Sequence, residues 1–148
     1  MVIKMKKQRI CLLIVAIILA LFVCVESVSA ETYDMLRASP TLTRYSAIIT
    51  SGSSAGKIVI TYDIAANDIA DSLGVSKMVI YKSDGGYVTT IYATALNNFK
   101  ASNTVRHRAS YTYTGTSGTS YYAEVTVFAT IDGVTDSRTI TTNTVKAP

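Results

Sequence analysis

From Leu42 onward, one stretch after another alternates apolar and polar residues with a period of two, and that rhythm commits the chain to β-structure. Lys57 to Ala65 shows it most cleanly: Ile58, Ile60, Tyr62 and Ile64 share one parity, with Lys57, Val59, Thr61 and Asp63 on the other. A strand patterned in this way buries one face and leaves the other wetter. Thr, Val, Ile and Tyr recur throughout, and they suit a pleated, half-buried surface because they pack well against cross-strand neighbours.

Turn residues divide the region into seven expected strands: Leu42 to Thr50, Lys57 to Ala65, Lys77 to Lys82, Tyr87 to Tyr92, His107 to Tyr113, Tyr121 to Ile131 and Ser137 to Val145. Ser51 to Gly56 ends the first. Ser83-Asp84-Gly85-Gly86 joins the third and fourth as a tight hairpin, since Asp and Gly tolerate positive φ. Asp132-Gly133 turns the chain again. Asn67 to Gly74 reads as a loop with a helical turn at Asp68 to Asp71. Thr94 to Arg106 reads as a long crossover or a short edge strand. The expected fold is therefore an all-β, antiparallel sandwich of about seven strands over residues 42–148, with a Greek-key crossover.

The first 30 residues carry an address. Lys4, Lys6, Lys7 and Arg9 precede an apolar run from Ile10 to Val25, and Val28-Ser29-Ala30 supplies small residues for cleavage. This is the pattern of a secretory signal peptide, a short helix cut between Ala30 and Glu31, with residues 31–41 as an exposed lead-in. The expected location is outside the cell, with membrane contact only during export. The alternative is a chain tethered by an uncleaved leader, although the 16 apolar residues fall short of the roughly 20 that span a bilayer.

Removing the leader changes the bulk properties. The remaining 118 residues hold 10 basic and nine acidic side chains, so the pI of about 9.1 gives no reason to expect nucleic-acid binding. Cys11 and Cys24 both lie in the leader, which leaves the exported part without a disulfide, a thiolate nucleophile or a Cys-ligated metal.

Gly118-Thr119-Ser120-Tyr121, followed by Ala123, Val125, Val127 and Ala129 on one parity, resembles the F strand of fibronectin type III domains. Asp132-Gly133 and Ser137 resemble that family's F–G hairpin. The resemblance implies an immunoglobulin-like or fibronectin type III-like sandwich in which Tyr121 is the corner tyrosine, its ring buried and its hydroxyl bonded to nearby backbone. The tryptophan typical of the B strand is missing, and Tyr62 or the pair Ile58 and Ile60 would fill its place. A second resemblance rests on Arg37-Ala38-Ser39, Leu42 with Tyr45-Ser46-Ala47, Gly56-Lys57-Ile58, Ile80 to Gly85, His107, Tyr121-Tyr122-Ala123-x-Val125, Asp136 to Thr139 and Thr141 to Val145. These are similar to a family of small secreted proteins of Gram-positive bacteria known as a domain of unknown function. It implies export and a compact all-β domain, and no mechanism.

Little in the chain points to chemistry. His107 is the only histidine, too few for a His-based zinc site, and it reads as a packing or surface residue. Asp63, Asp68 and Asp71 flank one expected loop, and Asp84, Asp132 and Asp136 lie at expected turns, where aspartate bonds local amides. Asn67, Asp68 and Asp71 miss the spacing of an EF-hand calcium loop. No enzyme activity, metal or cofactor is expected. The 10 tyrosines are more suggestive: Tyr81, Tyr87, Tyr92 and Tyr122 are the candidates for an aromatic binding surface. The expected role is non-catalytic binding of a protein or glycan at the cell envelope, with Asn67 to Val75 and Thr114 to Ser120 as contact loops at one end. The alternative is a secreted effector acting on neighbouring cells.

Overall fold

The computed structural model describes residues 40–148. Nine strands occur among the described residues. They are β1 (Leu42–Ser51), β2 (Lys57–Ala70), β3 (Ser72–Lys82), β4 (Tyr87–Tyr92), β5 (Lys100–Ala101), β6 (Thr104–Thr114), β7 (Ser120–Ile131), β8 (Val134–Thr141) and β9 (Val145–Lys146). They form two antiparallel sheets, one ordered β1-β2-β6 and one ordered β4-β3-β7-β8, with β5 beside β3 and β9 beside β7. The fold is all-β and sandwich-like. The expected count of about seven holds for the longer strands, and the two-residue β5 and β9 complete it.

Parity decides what is buried. Ile58, Ile60, Tyr62 and Ile64 of β2 are at most 1% exposed, and Ala123, Val125, Val127 and Ala129 of β7 are fully buried. They join Leu73, Val75, Met78, Ile80 and Phe99 in one apolar cluster drawn from both sheets. Each Val, Ile, Leu, Met or Phe side chain of this set removed from water contributes roughly 1.5–3 kcal/mol, which offsets the entropy of ordering the strands.

The expected loop and helical turn over Asn67 to Gly74 are not formed. Strand β2 continues to Ala70 and β3 begins at Ser72, so the chain leaves one sheet and enters the other with only Asp71 between. Ala70, Leu73 and Val75 are fully buried in this passage. Gly74 sits in it because Val75 N–H donates to the Phe99 carbonyl at 2.8 Å, and a Cβ on Gly74 would collide with that same carbonyl oxygen. What reads as turn chemistry is a strand changing sheets under close backbone approach.

The seventh expected strand also divides differently. Strand β8 starts at Val134, straight after the Asp132-Gly133 turn, and ends at Thr141, while Val145 belongs to the separate β9. The segment from Thr142 to Thr144 leaves β8, and Thr142 N–H donates to the Ala123 carbonyl at 2.9 Å.

Candidate functional site

Tyr121 opens β7 with its ring 2% exposed, and its hydroxyl accepts a 2.8 Å hydrogen bond from the Thr116 amide. Gly115 makes room for it, since a Cβ there would lie 2.6 Å from the hydroxyl oxygen. The ring of Tyr113 meets that of Tyr121 edge-on at 6.1 Å. This arrangement pins the Gly115 to Thr119 turn to the body of the sandwich.

All four candidate surface tyrosines lie on the larger sheet, and three of them cluster. Tyr81 on β3 and Tyr122 on β7 are register partners, and their rings stack at 5.2 Å with 15° between planes. Tyr87 on β4, opposite Tyr81, approaches its ring edge-on at 6.2 Å. Burial against these neighbours, followed by the charge of Glu124, pushes the Tyr81 hydroxyl above the usual tyrosine range. That hydroxyl donates to Glu124 Oε2 at 3.4 Å. Tyr92 pairs with Lys77, about 16 Å along β4 from Tyr87 at strand rise, and stands apart from the cluster.

Further along the same outer face lies a hollow of about 350 Å³ lined by Ser76, Lys100, Thr126, Phe128, Thr130, Thr135 and Ser137. Lys100 Nζ sits 5.6 Å from the centre of the Phe128 ring, and hydroxyl pairs link Thr126 to Thr139 and Thr130 to Thr135. Phe128 is missed from sequence, although it shares the outward parity of Tyr122. One face thus combines stacked aromatic rings with hydroxyl donors and acceptors.

The smaller sheet has a polar outer face. Asp63 on β2 accepts from Arg106 Nε at 2.8 Å and from Arg106 Nη2 at 2.6 Å, while Arg44 Nη2 stands 3.6 Å away. Arg108 on β6 lies directly opposite Asp63 in the register. The Arg106 hydrogen bonds, reinforced by the charges of all three arginines against the opposing effect of burial, hold the Asp63 carboxyl below its ordinary range. Asp63 therefore lies on β2 at the parity opposite Ile58, Ile60, Tyr62 and Ile64, where the alternation of the sequence put it. None of the arginines stands out in sequence, because Arg44 is remote from Arg106 and Arg108 until strand pairing brings them together. The Arg-x-Arg parity on β6 was the one available signal.

His107 faces inward at 8% exposure, with Nε2 2.9 Å from the Asn98 carbonyl and its ring 5.6 Å from that of Tyr62. Since a carbonyl only accepts, Nε2 carries the proton. A Gly-x-Ser-x-Gly spacing occurs at Gly52-Ser53-Ser54-Ala55-Gly56. It forms the β1–β2 connection and not a strand-to-helix elbow. His107 pairs with Ile64, six residues along β2 from Ile58, so about 20 Å of strand separates it from that connection. Ser54 and His107 are not a catalytic pair.

The two expected contact loops do not share an end. Gly115 N–H donates to Gly56 O beside the β1–β2 connection, whereas Asn67 bonds Pro40 and Thr41 at the far end of β1. The segment Asn67 to Val75 is strand except at Asp71, which removes it as a loop. Asp68 Oδ1 accepts from the Ile69 amide at 2.7 Å, and among the described residues no three His, Cys, Asp or Glu side chains converge. The cleavage position between Ala30 and Glu31 lies outside the described residues.

Comparison with protein-family models, curated proteins and solved structures finds no match.

Proposed function

We propose that the chain is a secreted, non-catalytic binding module of immunoglobulin-like or fibronectin type III-like kind, engaging a glycan or a protein outside the cell. The observation that carries the reading is the Tyr81–Tyr122 stack on the outer face of the larger sheet, with Tyr87 against it. Rigid aromatic rings supply contact area at low entropy cost, and their hydroxyls add orientation. The hydroxyl-rich hollow at Phe128 extends the same face with groups suited to sugar or peptide polar atoms.

The immunoglobulin-like reading draws support from strand placement. With β1, β2 and β6 on one sheet and β3, β7 and β8 on the other, the strands distribute as A, B, E and C, F, G do in that architecture. The Tyr121 hydroxyl on the Thr116 amide matches the geometry of a corner tyrosine. Fold alone assigns no ligand, so the surface carries the functional reading.

A binding screen of the chain against glycans and surface proteins tests it, run beside Tyr81→Ala and Tyr122→Ala. A specific ligand lost in both variants supports the reading, and a ligand retained by both moves the site off this face. Export is tested separately by mass spectrometry of culture medium, where a mature N-terminus at Glu31 is expected. An intact leader in the membrane fraction would make the module tethered.

A further inference from the structure

A hollow on the outer face of the smaller sheet is lined by more positive charge than its one carboxylate, Asp63, needs. Arg106 alone meets both oxygens of Asp63, at 2.8 and 2.6 Å. Arg44 then reaches the same carboxylate only at 3.6 Å, and Arg108 lies across from it with its own charge unmatched by any other acid lining the hollow. The remaining lining residues, Ser46, Ile48, Thr61 and Tyr62, are neutral. Like charges gathered on neighbouring strands oppose folding, so a purely structural ion pair here is served by one arginine.

Geometry gives the excess a use. The four charged groups line a hollow of about 210 Å³ open to solvent, with the Arg44 and Arg106 side chains 65% and 53% exposed. Arg44 on β1 and Arg108 on β6 straddle β2, two strand spacings apart, roughly 10 Å between backbones. A planar carboxylate is satisfied by one guanidinium fork. An anion bridged from both sides, with the Ser46 and Thr61 hydroxyls nearby, must offer acceptors in more than one plane.

We propose that this hollow binds a tetrahedral oxyanion of the phosphate class, held by Arg44 and Arg108, with Arg106 as a positioning residue fixed by Asp63. The site is separate from the aromatic face, and its ligand is any accessible phosphate group, free or carried on a lipid headgroup.

The test is calorimetric titration of the full chain with inorganic phosphate at low ionic strength, with acetate as the comparison anion. Saturable one-site binding is expected, weakened about tenfold in Arg44→Gln and in Arg108→Gln, since each removes one contacting charge. Asp63→Asn raises the net local charge and is expected to tighten binding. If that variant fails to fold, the two exposed arginine variants still decide the matter. Phosphatidylglycerol vesicles run in parallel distinguish the sources: capture that needs both arginines assigns a lipid headgroup, and binding of free phosphate alone assigns a soluble ligand. Absence of binding in both arms, binding kept by both arginine variants, or equal binding of acetate overturns the proposal.

Discussion

The hydroxyl of Tyr62, buried on the inner face of β2, donates a 2.9 Å hydrogen bond to the carbonyl of Asn98 in the crossover between β4 and β6. His107 Nε2 reaches the same carbonyl at 2.9 Å. Asn98 holds φ at 52°, a left-handed conformation that asparagine tolerates and that aims its carbonyl at both partners. Phe99 follows directly, fully buried and edge-on to Tyr62 at 6.1 Å. One carbonyl with two donors thus anchors the crossover to the smaller sheet.

Sharing makes the two donors redundant. Tyr62→Phe and His107→Leu are each expected to cost about 1 kcal/mol, because the carbonyl keeps one partner in either case. The double variant orphans it and is expected to cost about 1–2 kcal/mol more than the sum. Urea denaturation of the four proteins in the cycle measures the coupling, and strict additivity would rule out the shared anchor.

Burial also makes Tyr62 contribute to the alkaline pH dependence of stability. It raises the Tyr62 hydroxyl from 10.0 to about 12, so the folded state keeps a proton that an unfolded tyrosine releases earlier. The folded chain binds more protons in that interval, so the contribution of Tyr62 to stability is fully present below pH 10 and is lost as pH rises from about 10 to 12. Tyr62→Phe is expected to flatten the decline. Thermal unfolding across this range, with tyrosinate absorbance followed in parallel, provides the check.

The Tyr121 hydroxyl depends on a missing side chain. Gly115→Ala would set a Cβ 2.6 Å from that oxygen, and the Thr116 amide would lose its acceptor as the ring moves away. Tyr121→Phe is expected to cost on the order of 1–2 kcal/mol, and Gly115→Ala at least as much. Denaturation midpoints for the two variants measure this, and an unchanged midpoint for Tyr121→Phe would deny the hydroxyl a structural role.

Strands were legible where burial is one-sided. A period of two names the inner residues of β2 and β7 directly, because a slip of one residue would put Ile60 or Val125 in water. The sheet change at Asn67 to Gly74 was not legible, since Asn, Asp and Gly there carry turn chemistry while serving a bent strand. The Tyr81–Tyr122 stack was partly legible, because outward parity marks candidates and only register makes neighbours. Arg44, Arg106 and Arg108 were illegible for the same reason: their meeting depends on the pairing of β1 and β6 with β2, which no local pattern states.

Among the described strands β1 pairs only with β2, and its free edge is met by a side chain in place of a strand. Asn143 Oδ1 accepts from the Ile49 amide at 3.1 Å, and its Nδ2 donates to the Ile49 carbonyl at 3.0 Å. The amide copies both halves of a backbone pair and blocks strand addition at that point. Asn143→Leu is expected to lose about 1–3 kcal/mol by leaving both groups unpaired. Asn143→Asp, which keeps only the acceptor, should fall between. Urea midpoints rank the three, and light scattering at high concentration should show more self-association for the leucine variant.

Asp63 predicts the opposite pH limit. Its folded-state carboxyl lies below the ordinary 3.8, chiefly through the Arg106 hydrogen bonds and then the charges of Arg106, Arg44 and Arg108. An unfolded aspartate takes up its proton at higher pH than the folded one, so the pairing contributes stability above about pH 4. That contribution is lost as pH falls through the folded-state value. Asp63→Asn removes the titrating group, and its melting temperature is expected to sit below that of the parent at pH 6 and to converge with it in acid. Added phosphate separates this role from the proposed anion site: an ion occupying the hollow should raise the parent's melting temperature at pH 6, and should do so further in Asp63→Asn, where the arginines lack their internal partner. Parallel curves for parent and variant through the acid range would show that Asp63 contributes nothing through its charge.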